Sequence, residues 1–294
     1  MARKISQALA LLLVVPLLFG AAQIAQAAEE TAHFMVGDPT GKLGFSDALV
    51  KRMADKAERA LGQITKFWSA SAGVEQYGKI RIALGNPLKD SAGNTLRTAV
   101  FLWANDGGRR IRVVRVFGVD REPQLMVQKI THSVFPSEDK LIRNMMGIPM
   151  EIRFGNRLSM PMCGFSIDAW VLALRETGGY VPLARLGPDH ESWGMTTKGG
   201  MPATTNWALH QATYAEAGSF GDYLLHTYGA AKVKAIFSRS RRAWQEVFGL
   251  PLDELEKNWI AALQKKEEKS MPLLVKLLKQ NRGTACAQAQ RQAG

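Results

Sequence analysis

Three side chains on one short stretch have the spacing to do chemistry together. From Gln124 to Pro136 the chain reads QLMVQKITHSVFP, and Met126, Val127, Ile130 and Val134 fall as they would on a short helix buried over much of its surface. Residues four apart on a helix share a face. Gln128 therefore stands beside His132, with Lys129 next to Gln128. Two histidines at that spacing can hold a metal ion, and a carboxylate next to the first can take a proton from metal-bound water. Here the slots hold Gln, Lys and His. A Lys in the base slot puts positive charge beside the would-be cation, and while charged it accepts no proton. A single His on a helix is more often hydrogen-bonded to a neighbour than bound to metal.

The elements that position this stretch can be read on either side of it. Pro123 suits the first turn of its helix and Pro136 ends it. Upstream, Ser46 and Asp47 open a long helix in which Leu49, Met53, Ala57, Leu61, Ile64 and Trp68 recur at spacings of three and four. Lys79 to Leu84 alternates polar and apolar residues as a half-buried strand does, and Gly85-Asn86-Pro87 ends it. Ala99 to Trp103 is a second strand. Asn105-Asp106-Gly107-Gly108 makes a turn, and Ile111 to Phe117 is a third strand with its arginines facing solvent. The residues before Ser46 read as a flexible start.

Downstream, Ile167, Trp170, Val171 and Leu174 give an apolar stripe with Asp168 on another face, and Gly178-Gly179 stops that helix. In Tyr214 to Gly229, Phe220, Leu224 and Tyr228 are four apart and Gly229 is a helix-end signal. Leu252, Leu255, Trp259 and Leu263 share a face in a further helix, with Asp253 and Glu254 near its N-terminus. Ser270-Met271-Pro272 starts a short helix with an apolar face of Leu273, Leu274, Leu277 and Leu278, able to pack or to dock a partner or membrane surface.

With 294 residues, 46% hydrophobic and 22% charged, the chain has the composition of a globular protein, not a disordered, collagenous or repeat one. Arg3 and Lys4, an apolar run from Ala8 to Phe19 and Ala25-Gln26-Ala27 form a secretory signal pattern, with cleavage expected after Ala27. The mature chain is expected to be exported and soluble, in a bacterial periplasm or outside the cell. Its two cysteines, Cys163 and Cys286, can pair in an oxidising compartment, although a free Cys286 in its polar tail fits the sequence as well. The net charge is +12, or +10 without Arg3 and Lys4. After export the polyanions within reach are lipid head groups and wall polymers, not nucleic acid. Lys232, Lys234, Arg239, Arg241 and Arg242 form a basic run that reads as a solvated face. His190, between Asp189 and Glu191, reads as part of a turn before it reads as a cation site. Serine-hydrolase and phosphate-loop patterns are missing: no G-x-S-x-G surrounds a serine, and Gly199-Gly200 lacks the flanking strand and Lys.

The order of these elements resembles the gluzincin-type zinc metallopeptidase domain, the thermolysin and aminopeptidase group, in its compact "peptidase MA-like" form. Such domains carry H-E-x-x-H, then W-x-x-E-G-x-A with a third ligand, then Y-x-x-A-x-S-F-x-x-Y-L-x-x-x-Y-G and L-x-x-L-E-x-x-W. Tyr214, Ala217, Ser219, Phe220, Tyr223, Leu224, Tyr228 and Gly229 match the third pattern, and Leu252, Leu255, Glu256 and Trp259 the fourth. The resemblance covers most of Phe34 to Leu263. It implies that Gln128 replaces the first zinc ligand and Lys129 the base, that His132 is the retained second ligand, and that Asp168 falls at the third, counted from Phe165. It also brings Tyr214 to the wall of the old substrate groove.

The expected architecture is α+β: a small mixed-sheet lobe over residues 28–122, a mainly helical peptidase-like lobe over 123–265, and a short helix with a basic tail over 266–294, after a signal peptide at 1–27. The expected function is non-catalytic binding of a peptide, a protein partner or an anionic wall polymer, without cofactor. One alternative is an active metallopeptidase with zinc held around His132 and Asp168. Another is a structural periplasmic module acting through the terminal Leu-rich helix. Without a metal, Lys129 and Asp168 are expected to meet as an ion pair.

Overall fold

The computed structural model describes residues 29–89, 95–119, 126–198, 201–239 and 243–280. The signal pattern, Arg241, Arg242, Gly199-Gly200, Cys286 and the end of the basic tail lie outside them. The fold is mixed α/β, a small mixed sheet followed by a mostly helical region, as the sequence predicts.

Helix α1 (Asp47–Trp68) starts where expected, with the Ser46 hydroxyl accepting from the Leu49 N–H at 3.3 Å. It buries Met53, Ala57, Leu61, Ile64 and Trp68. The main sheet holds β1 (Glu29–Glu30), β2 (Phe34–Gly37), β3 (Ile80–Gly85), β6 (Thr98–Asp106) and β7 (Arg109–Phe117), in the order β1-β2-β3-β7-β6. β2, β3 and β7 run parallel, β1 and β6 antiparallel to their neighbours. α1 is the crossover between parallel β2 and β3. A short helical turn α2 (Val74–Tyr77) precedes β3, and β4 (Leu88–Lys89) and β5 (Thr95–Leu96) form a minor ribbon.

Two expectations for this half are corrected. The start is not flexible at Phe34: β2 lies between β1 and β3 with Phe34 and Val36 fully buried, a strand of only four residues whose alternation is too brief to stand out. Nor do all the β7 arginines face solvent. Arg112 turns inward and donates to Ala72 O at 2.5 Å, Ser133 O at 3.2 Å, Gly73 O at 3.2 Å and Gly78 O at 2.8 Å. The guanidinium fork gathers carbonyls of the loop before β3 and of the end of α3 around one buried charge.

The helical region holds α3 (Met126–Val134), α4 (Lys140–Phe154), α5 (Ile167–Thr177), α6 (Trp207–Arg239), α7 (Trp244–Phe248), α8 (Leu252–Gln264) and α9 (Met271–Gln280), with a hairpin of β8 (Met195–Lys198) and β9 (Met201–Thr204) before α6. α5 is capped by Ser166 and stopped by Gly178, as expected. Gly229 does end a helix, but helical turns resume after it and α6 continues across the break. α9 lies on α5 and buries Leu274, Val275, Leu277 and Leu278, so the apolar face read as a possible docking surface is packed internally; Leu273 alone of the expected four is exposed.

α4 is the helix that the sequence pattern does not reveal, and it is the centre of this half. Asp139 caps it, with Oδ1 accepting from the N–H groups of Leu141 at 2.9 Å and Ile142 at 3.2 Å. Pro149 sits inside it and has no N–H to give the Met145 carbonyl. α6 closes on that carbonyl: a Cβ built on Gly221 would lie 2.0 Å from Met145 O, and one on Gly218 2.5 Å from Ile148 Cγ2. One hydrophobic core joins the sheet side and the helical side, from Phe34 to Leu278. Among the described residues no helix is long and apolar enough to cross a membrane.

Gly221→Ala should cost on the order of 3 kcal/mol, because backbone blocks the added methyl and one helix must move. Gly62→Ala, on an open face of α1 with nothing within 4 Å, should be neutral or slightly stabilising. Thermal melts of the two variants check this, and equal melting temperatures would contradict the close approach.

Candidate functional site

α3 is packed between the sheet and α4, and nearly all of it is buried, including Gln128, Lys129 and His132. The three residues singled out by spacing are therefore interior groups, and the helix facing them is α4. Gly147 of α4 is where the two helices touch: a Cβ there would meet His132 Nε2 at 2.5 Å and Gln128 Cγ at 3.0 Å. One turn before it, Asn144 Oδ1 accepts from Gln128 Nε2 at 3.1 Å. One turn beyond it, Glu151 Oε2 accepts from the Gln128 backbone N–H at 2.8 Å. Its other oxygen accepts from Asn156 N at 3.0 Å and Ser159 Oγ at 3.3 Å. Burial raises the Glu151 carboxyl above its usual range, against these hydrogen bonds. The carboxylate ties the first turn of α3 to the chain leaving α4. Gly155 leaves it room, since a Cβ there would stand 2.2 Å from Oε1.

Lys129 has no comparable partner. It is 6% exposed, and among the described residues its ammonium makes no hydrogen bond or ion pair. It lies 5.4 Å from the centre of the Tyr214 ring, a cation–π contact with α6. Burial, with the Arg143 charge adding to it and Glu151 opposing, pushes its pKa down to about 7. His132 is held neutral: burial moves it well below its ordinary value, and the charges of Lys129 and Arg143 act in the same direction. Tyr214 is buried against His210, ring centres 4.4 Å apart, and the His210 Nδ1 lies 3.0 Å from Trp193 O. Burial lowers His210 to about 4.

Asp168 belongs to a different cluster. It is the second residue of α5, and its Oδ1 accepts from the Ser219 hydroxyl of α6 at 2.5 Å while Oδ2 pairs with Lys266 at 2.5 Å. Ser219 in turn accepts from Trp259 Nε1 at 3.1 Å. The expected Lys129–Asp168 ion pair is absent, because α5 faces α6 and α9 and Lys266 reaches its first turn. Cys163 is disulfide-bonded, and the only other cysteine in the sequence, Cys286, lies outside the described residues. His190 is in a tight turn whose Asp189 Oδ1 accepts from Ser192 N at 2.7 Å.

This donor set does not fit zinc. Gln128 is an amide that donates one hydrogen bond to Asn144, Lys129 is a cation, Glu151 has both oxygens engaged, and Asp168 sits on another pair of helices. Among the described residues no three His, Cys, Asp or Glu converge as a metal site requires. A cavity of about 170 Å³ lies elsewhere, between Leu174, Leu209 and Leu278, and includes none of the α3 residues. Comparison with family models, with curated proteins and with solved structures finds no match.

Sequence reasoning missed Arg143, Asn144, Gly147 and Glu151, all on α4. The Asp139 cap was the one available signal, and Pro149 argued against a helix.

Lys129 sets a pH dependence. Its folded pKa lies below its unfolded one, so the unfolded chain binds more protons between about pH 7 and 10, and stability rises with pH across that window. Lys129→Met, similar in length and uncharged, should be more stable than the parent below pH 7, with the gap closing toward pH 10. Urea unfolding of both proteins across this range tests it. A gap independent of pH would show that Lys129 is paired or solvated.

Proposed function

We propose that this chain is an exported, non-catalytic binding protein with a peptidase-like architecture, and that it holds an extended peptide segment along β6, beside α3. The observation that carries this reading is the free edge of β6. It is a nine-residue strand at the end of the main sheet, and among the described residues nothing pairs with its outer side. Most of its residues are only half-buried, and α3 packs against it. An unpaired edge offers a row of N–H and C=O groups to a strand from another chain. Phe101 and Trp103, 5.8 Å apart and edge to face, supply apolar contact on one side of that edge. Arg110 covers Trp103 at 4.2 Å.

The inactive character rests on Lys129, in the slot where the resemblance calls for the base, and on Gln128, in that of the first ligand. Asp168, at the third, is tied to Ser219 and Lys266. The export reading rests on residues 1–27 of the sequence.

Selection of a random peptide library on the mature protein, followed by mass spectrometry of the enriched peptides, tests the reading. The expected result is a set of extended peptides recovered intact, whose binding is weakened by proline at Val100 or at Phe101. Consecutive residues of an edge strand point their N–H groups to opposite sides, so one of these two variants leaves the β6–β7 pairing whole. Cleavage of the enriched peptides, abolished in His132→Ala, would overturn it in favour of a hydrolase.

A further inference from the structure

The buried polar groups around α3 and α4 are unbalanced in a specific way. Lys129 has no acceptor among the described residues. Among the described residues Arg143 donates only a 3.3 Å hydrogen bond to Ser137 O, and its Nε is buried without a partner. The Asn144 Nδ2 is also buried without a partner. These three donors come from two facing helices, and the charges of Lys129 and Arg143 reach each other and both reach His132. Two acceptors of the same interface, Gln128 Oε1 and the Nε2 of neutral His132, are unpartnered as well, and neither carries a charge to balance the two cations. Lys140, one turn before Asn144, adds a third cation within range of Arg143, its ammonium held by Pro188 O.

The acidic groups nearby are already used. Glu151 has its three hydrogen bonds, Asp139 caps α4, Asp189 caps its own turn, and Glu138 lies at the surface beside Arg110. Buried donors without acceptors are costly, and a buried cation without a counter-charge more so. Such a set is retained at little cost if an acceptor from outside completes it.

We propose that the α3–α4 interface is an anion site for a carboxylate, held between the Lys129 ammonium and the Arg143 guanidinium with Asn144 Nδ2 as a third donor. Arg favours carboxylates because its planar fork matches their two oxygens. The carboxylate is that of a peptide C-terminus, which rests on the peptide-binding reading above and deepens it: the cation that a hydrolase of this architecture would supply as metal is supplied here by side chains, and it anchors the ligand without activating water.

The test is the melting temperature of the mature protein at about pH 6, where a lysine and an acetate ion are both charged, in sodium acetate against sodium chloride at equal ionic strength. The expected result is a saturable rise of about 3 °C with acetate over chloride. The rise is absent in Lys129→Met, reduced in Arg143→Gln and intact in the surface control Lys279→Met. Circular dichroism establishes that the variants are folded. Equal melting temperatures in acetate and chloride, or the same rise in Lys129→Met, would overturn the proposal. N-acetyl-trialanine as free acid and as C-terminal amide then identifies the source. Stabilisation by the acid alone supports the peptide terminus. Acetate acting while neither peptide does overturns that assignment in favour of a small free acid. Peptides captured at β6 without any acetate response would sink this site and leave the binding reading intact, whereas hydrolysis would sink the binding reading itself.

Discussion

The helical half of this protein depends on how closely α4 can be approached from both sides. Gly147 lets α3 lay His132 and Gln128 against it, and Gly218 and Gly221 let α6 close on the other face. The approach at Gly221 comes at the carbonyl that Pro149 has left without its helical N–H. A proline that weakens the helix in isolation thus falls where a neighbouring backbone takes the space. With α4 enclosed, its polar residues have nowhere to go but inward, and Arg143, Asn144 and Glu151 all meet α3.

Those interior polar groups divide into satisfied and unsatisfied sets. Arg112 is nearly fully buried and donates to four carbonyls, so its burial organises the loop before β3 and the end of α3. Glu151 does the same for the start of α3. Asp168, Ser219, Trp259 and Lys266 form a closed chain that joins α5, α6 and α8. Against this pattern Lys129 stands out: a cation in the interior with an aromatic face and, among the described residues, no acceptor. Other buried atoms lack partners too, Trp68 Nε1 and Trp244 Nε1 among them, but those are neutral groups, whereas Lys129 brings a charge that is either destabilising or met by a partner from outside.

Much of this was legible in the sequence. α1, β3 and α8 announce themselves by clean periodicity, because each buries one face and leaves the other more open, and caps such as Ser46, Ser166 and Gly178 mark the ends of α1 and α5. α3 was legible too, and with it the Gln128, Lys129, His132 row. α4 was not, since a helix buried on nearly every side has no polar face to mark its period, and Pro149 reads as a break. Missing it moved the helix opposite α3 to α5, and with it the expectation of a Lys129–Asp168 pair. Arg112 was misread for a related reason: strand alternation places a side chain on a face but does not say whether that face is covered by carbonyls.

The account turns on the claim that the α3–α4 interface carries a cation of its own in place of a metal site. Calorimetric titration of zinc into the purified, metal-free mature protein tests it most directly. The account predicts no saturable site at one zinc per chain, and the same heats for the parent and His132→Ala. One zinc bound per chain, lost in His132→Ala and Asp168→Ala, would contradict it and restore the reading of a working metallopeptidase centre.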